Sequence, residues 1–205
     1  MVCIGSGSSN GIIIDIGWTR TTVVAVFDNR VLQNYTKFTN RAGFRLHYEL
    51  LNSLKVEDLN IDRISFRDLE NSITMLENIE DDSDKMITCG PYLVKKRVFS
   101  GVISELYFTN NQNCEDDELP IVELIAELID GLPIDLKSIL ASRMIITGGI
   151  SNLAGFRSKM SSKLNNRITQ EVGEISSLGD WAGASIYSTI MKKLKKSDSL
   201  WEIRK

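Results

Sequence analysis

The sequence predicts an α/β lobe on a mixed five-stranded sheet with helices on both faces, and three observations carry that expectation. Residues 11–32 (GIIIDIGWTRTTVVAVFDNRVL) hold two β-branched runs around a short turn, with a second turn at Asp28 and Asn29. Residues 144–155 (MIITGGISNLAG) read as a buried strand that ends in Gly148 and Gly149 and gives way to a helix near Ser151. Elsewhere, apolar residues recur at helical spacing. The chain has 205 residues, 42% of them hydrophobic, enough to bury one sizeable core with a small lobe inserted.

In chain order, residues 1–10 form a Gly/Ser-rich lead-in. Residues 12–14, 23–27 and 31–38 are too short and too rich in Val, Ile, Thr and aromatics for helices, so they read as a three-strand meander. In the first turn Gly17 can take φ > 0 and present its N–H. Asp15 ends the strand, where a carboxylate can meet a hydrated cation. Phe44, Leu46, Leu50, Leu51 and Leu54 predict an amphipathic helix over 43–54. Residues 55–85 are charged, yet Ile64, Phe66, Leu69, Ile73, Leu76 and Ile79 keep helical spacing and predict one further helix, closed by a solvated acidic run at 80–84. The core lobe is thus expected at 1–54 and 86–205, and a reduced inserted lobe at 55–85.

Residues 86–93 supply a strand or hairpin, and 98–108 a helix with Val98, Val102, Ile103 and Leu106 on one face. The polar loop 110–118 ends in acidic residues that favour the N-terminus of the next helix, 121–129. Gly131, Leu132 and Pro133 stop that helix, and Asp135 caps another that reaches Ala141. Phe156, Met160 and Leu164 face inward from a helix at 156–164, residues 168–172 give the last strand, and 181–194 the closing helix. Its inward face is expected to be Ile186, Ile190 and Leu194, with Lys192, Lys193, Lys195 and Lys196 in the last turn, where cations meet the negative end of the dipole. Trp201, in the tail, is expected to dock on the body.

Composition narrows the classes. A net charge of −3 gives no reason to expect nucleic acid or an anionic membrane as partner. No stretch approaches ~20 apolar residues, and the N-terminus lacks the basic and apolar regions of a signal peptide. A soluble, intracellular protein is expected. Cys3, Cys89 and Cys114 are far apart and without Cys/His spacing, so they read as reduced thiols, with neither metal site nor disulfide framework. His47 is the single histidine and reads as a helix-face or half-buried residue, because no Ser or Cys motif accompanies it.

Taken together, a hairpin whose turn faces a Gly-Gly strand-to-helix junction resembles the phosphate-facing half of the actin, sugar-kinase and Hsp70 type of ATPase domain, with its ribonuclease H-like motif. The landmarks are GIIIDIG, Ala42-Gly43 before Leu46 to Leu50, Pro133-Ile134-Asp135, IITGG, Ala154-Gly155 and Gly179-Asp180-Trp181-Ala182-Gly183. In this order they are similar to the second half of an actin-related protein, spread over nearly the whole chain. The first half, with its own phosphate hairpin, has no counterpart in the 205 residues. Residues 103–149 resemble the pointed-end actin-related proteins of the dynactin complex more than conventional actin. They share a Glu105-Leu106-Tyr107-Phe108 helix end, an Asn/Glu/Asp-rich loop and the Pro133-Ile134-Asp135 start.

The resemblance implies nucleotide-facing positions at Asp15, Gly17, Gly148 and Gly149, able to offer backbone N–H groups and one carboxylate. The departures argue against nucleotide. Trp18 stands where actins carry a second acidic residue, Leu153 where they place an aromatic beside adenine, Ser177 at a neighbouring basic position, and Phe44-Arg45 replaces an Arg-Asp pair. If each lost contact weakens binding by about 1.5–3 kcal/mol, losing three or four moves a micromolar site beyond millimolar. We therefore expect no cofactor, no ATP, no metal and no catalytic residue. The resemblance implies a non-catalytic structural subunit of the cytoplasm and cytoskeleton that caps the pointed end of the actin-like filament of dynactin. Its partners would be the filament subunit and the other pointed-end subunits, in the service of dynein-dependent transport or nuclear migration. Two other readings are a subunit of a nuclear chromatin-remodelling complex and half of an actin-type ATPase without its first lobe.

Overall fold

In the computed structural model the strands predicted at the start of the chain form the centre of the molecule. The structure describes residues 1–57, 59–80, 83–110 and 116–202, with the backbone alone at 116 and 195–202. Strands β1 (Gly11–Ile16), β2 (Thr21–Phe27) and β3 (Arg30–Thr39) make an antiparallel meander, and β6 (Met144–Thr147) pairs parallel to β1, giving the order β3-β2-β1-β6. The tight turn between β2 and β3 places Asp28 and Asn29 at φ 51° and 56°, the left-handed pair that suits the twist of a two-residue hairpin.

The α/β class, the meander and the pairing of β1 with β6 match the sequence reading; the strand count does not. The main sheet has four strands. The expected strand at 168–172 does not form, and beside β6 there is an isolated parallel bridge between Met144 and Glu174. Gly173 and Ile175 bond the backbone of Ala141 and Met144 at that edge, but the chain leaves at once for Ser177 and the last helix. A second sheet, β4 (Met86–Cys89) with β5 (Tyr92–Lys95), is the hairpin expected near 86–93.

Alternation of side chains splits the strands between two faces. Ile12, Ile14, Ile16, Val23, Ala25, Met144 and Ile146 join the main core. Helices α5 (Ile121–Gly131) and α6 (Ile134–Ala141) lie against the sheet, with α2 (Gly43–Val56), α4 (Lys96–Phe108) and α7 (Phe156–Arg167) packed beyond. Pro133 precedes α6, so Asp135 sits in its first turn and is not its cap. In α4 the buried stripe is Phe99, Ile103, Leu106 and Tyr107, while Val98 and Val102 are only partly covered. Phe156, Met160 and Leu164 are fully buried as their spacing predicts.

On the other face Ile145 and Val26 meet only Val2 and Cys3 of the short α1 (Val2–Ser6), with Ile13, Val24 and Ile175 around them. Helix α8 (Gly179–Glu202) packs on α1 through its first turns, where Gly183 lies so close to the Met1 carbonyl that a Cβ would stand 2.1 Å from it. Ile186, Ile190 and Leu194, expected inward, are exposed. Helical spacing shows that a stripe exists; what covers it depends on where the helix lies, and α8 runs past the body after its first turns. No helix among the described residues is long and apolar enough to cross a membrane.

The charged segment contributes α3 (Phe66–Thr74), started by a capping box in which the Ser65 hydroxyl accepts from the Asp68 N–H and the Asp68 carboxylate accepts from the Ser65 N–H. Leu69, Ile73, Leu76 and Ile79 on this segment, with Ile87 and Val94 of the hairpin, belong to the same continuous core as the sheet. Cys3 and Cys89 are buried free thiols, and burial pushes both upward in pKa. Cys114, most of the polar loop at 110–118, part of the acidic run at 80–84, and the Trp201 side chain lie outside the described residues.

Candidate functional site

The β1–β2 turn, the start of α2, the length of α3 and the Gly148-Gly149 junction surround a cavity of about 460 Å³. Ile16, Trp18, His47, Ile73, Ile150 and Leu153 give it a largely apolar wall, and Glu70, Asn71 and Thr74 supply its polar side. No lysine or arginine lines it.

The turn is built from its glycine outward. The Gly17 N–H donates to the Arg20 carbonyl at 3.2 Å, and a Cβ on Gly17 would stand 3.0 Å from that same oxygen. The expectation that Gly17 takes φ > 0 and presents a free N–H is therefore corrected. Its φ is not positive, and its donor is spent inside the turn. The carbonyls of Gly17 and Trp18 then accept from the Gly43 and Phe44 N–H groups at 3.1 and 2.8 Å. Ala42 has no side chain with which to cap α2, so the turn itself satisfies two of the helix's unpaired donors. The end of α2 nearest the cavity is thereby removed as an anion cradle.

Gly43 also lets Trp18 lie across the helix start, since a Cβ there would come within 2.9 Å of the indole ring. Trp18 is 45% exposed on the cavity side, as its position after Gly17 predicts. Its ring meets His47 at 4.9 Å, Phe66 at 5.2 Å and Phe44 at 5.9 Å between centroids. His47 and Phe66 stack at 4.4 Å with planes 13° apart. His47 Nδ1 lies 2.8 Å from the Gly43 carbonyl, which can only accept, so Nδ1 donates to it. The ring's Nε2 is buried without a hydrogen-bond partner. His47 is thus more buried than the sequence suggests, and two aromatic rings cover it.

Of the four expected nucleotide-facing residues, Gly17, Gly148 and Gly149 line the cavity and Asp15 does not. Asp15 alternates with the core residues of β1 and shares Ile13's face, exposed, in register with Thr22 and Thr147. Partial burial, with Asp180 of α8 adding like charge, pushes its carboxyl above the usual range. Gly148 has φ 98°, and a Cβ would fall 2.2 Å from the Ile16 carbonyl oxygen, so close strand packing requires glycine there. Gly149 has no such neighbour. The Ser151 hydroxyl donates to the Gly148 carbonyl, and the Arg157 guanidinium donates to the Ser151 and Ile146 carbonyls and pairs with Glu174. Leu153 lines the cavity, whereas Ser177 points elsewhere, its hydroxyl donating to the Val2 carbonyl at 2.9 Å.

Sequence reasoning missed Phe66 and Arg157. Phe44 and His47 share one side of α2 by their spacing of three, a signal available locally. Nothing local ties Phe66, in another helix, to Trp18. Among the described residues no group of three His, Cys, Asp or Glu side chains could hold a metal ion.

Residues 2–89 match the family model for Actin, which covers the meander, the Trp18 turn, α2 and α3. The chain is 28% identical over 144 residues to the actin-like protein ARP10 of Saccharomyces cerevisiae, a match that takes in 70% of this chain. It spans only 36% of that relative's length. Residues 2–89 are therefore similar to actin, and 70% of the chain is similar to an actin-like protein.

Proposed function

We propose that this chain is a non-catalytic structural module that uses the actin-like lobe as a shape, and that it caps the pointed end of the actin-like filament of dynactin without binding ATP. The observation that carries the first part is the state of the phosphate turn. Trp18 occupies it, the donors of Gly17, Gly43 and Phe44 are already bonded within the protein, and no cation lines the adjoining cavity. Spent donors at Gly17, Gly43 and Phe44 and a cavity wall without lysine or arginine are poorly suited to a triphosphate, which is held by free N–H groups and cationic side chains. Similarity to an actin-like protein supports a role among protein partners. The resemblance of residues 103–149 to pointed-end actin-related proteins supports dynactin as the assembly.

Two measurements test the reading. Calorimetric titration of the 205-residue chain with Mg-ATP is expected to give no binding at ~1 mM nucleotide; a saturable signal abolished by Gly149→Glu would restore a nucleotide function. Co-purification of the tagged full-length protein is expected to recover an actin-like filament subunit together with dynein adaptor components. Recovery of a chromatin-remodelling ATPase in their place would replace the dynactin assignment.

A further inference from the structure

The aromatic cluster does more than fill space beside the turn. Helix α3 spans the cavity and is held at both ends. At its start Phe66 lies on His47 of α2 and against Trp18 of the β1–β2 turn. Beyond its end the Ile79 N–H donates to the Ala154 carbonyl at 2.9 Å, next to Gly155, whose missing Cβ leaves room for Asn78. Between these two attachments Ile73 and Thr74 face Ile16, Gly148 and Gly149 across the cavity of about 460 Å³. Leu69 and Ile73 of α3 are buried in the main core, and at the mouth of the cavity the rings add a separate contact between α3, α2 and the turn. The sealed Nε2 of His47 marks the same contact: burying a ring nitrogen without a partner is unfavourable, so the packing of the rings around it must outweigh that cost.

We propose that Trp18, His47 and Phe66, with Phe44 at the edge, form a ligand-independent latch that holds α3 closed over the cavity. The small lobe then needs no bound molecule to keep its position on the core. Two features set this latch apart from ordinary core packing. Its rings come from three separate elements, and two of them are about half exposed. The inference concerns the lobe's own closure and stands whatever partner the protein has.

Hydrogen–deuterium exchange of the 205-residue chain, read by peptide, tests it. In Trp18→Ala and in Phe66→Leu, peptides covering residues 66–79 are expected to exchange about tenfold faster, while peptides over β1 and β6 keep their protection. Trp18→Phe, which keeps a ring, is expected to restore most of the protection. Addition of ~1 mM Mg-ATP to the unaltered chain is expected to leave residues 66–79 unchanged. Should Trp18→Ala fail to fold, Phe66→Leu decides alone, since it retains an apolar side chain at an exposed position. Three results would overturn the proposal: no change at residues 66–79 in the variants, equal loosening of α3 and β6, or slowing of exchange by nucleotide.

Discussion

On one face of the sheet Ile12, Ile14, Ile16, Val23 and Ala25 are lost from solvent under a double layer of helices, while on the other Ile13 and Val24 are only partly covered and α1 is a single turn or so long. The same four strands supply both faces with β-branched side chains. What differs is the cover. Five helices converge on the first face and share one apolar cluster that runs on into α3 and the β4–β5 hairpin. The second face receives α1 and the first turns of α8, after which α8 carries Ile186, Ile190 and Leu194 out into solvent. Apolar patterning along a strand or helix therefore records a face suited to burial, and a second element must arrive before that face contributes to stability.

The largest expected effect lies on the covered face. Phe156 is fully buried against the rings of Tyr107 and Phe108, and Phe156→Ala is expected to cost about 3–5 kcal/mol by chemical denaturation. A loss under 1 kcal/mol would mean that this face is no better packed than the other. The end of β6 gives the next test. Gly148→Ala forces a side chain into positive φ and against the Ile16 carbonyl, an expected loss of about 3 kcal/mol, whereas Gly149→Ala, with open space around it, should fall within about 0.5 kcal/mol. Equal effects at the two positions would refute the close approach of β6 to β1.

The thin face should respond weakly. Ile190→Ser on α8 is expected to change stability by less than about 0.5 kcal/mol, because the side chain is half exposed already; a cost above 2 kcal/mol would show that the stripe is covered in solution. Asp15 gives the smallest effect and a pH signature. Its folded carboxyl lies above the ordinary value, so the folded state holds the proton more firmly. The stability this adds is complete below the ordinary carboxylate pKa of about 3.9 and is lost as pH rises through the folded value. At neutral pH Asp15→Asn removes a charge that opposes folding, and a rise of less than about 2 °C in Tm is expected, vanishing near pH 3. Because Asp15 is exposed, solvent screens most of the interaction with Asp180.

The candidate site shows where local reading stops. Gly17, Gly148 and Gly149 were singled out by the resemblance as nucleotide-facing positions, and all three line the cavity. Trp18, which the resemblance set where actins carry an acidic residue, lines the same cavity. Asp15 does not line it, because strand parity sends its side chain to the opposite face from Ile14 and Ile16. Phe66 and Arg157 left no local trace. One stacks across a gap onto α2, and the other reaches Glu174 and two carbonyls of the Gly148 junction.

The sequence by itself determined the meander, the buried strand ending in glycine, the amphipathic helices and the order in which they come. These follow from periods of two and 3.6, from β-branching and from turn chemistry, all set within a few residues. Tertiary structure alone decided that the edge beside β6 holds a single bridge, that α8 keeps its apolar stripe outside, and that Trp18, His47 and Phe66 meet. Each of these depends on where a distant element comes to rest, and side-chain periodicity carries direction along one element without fixing the distance to another.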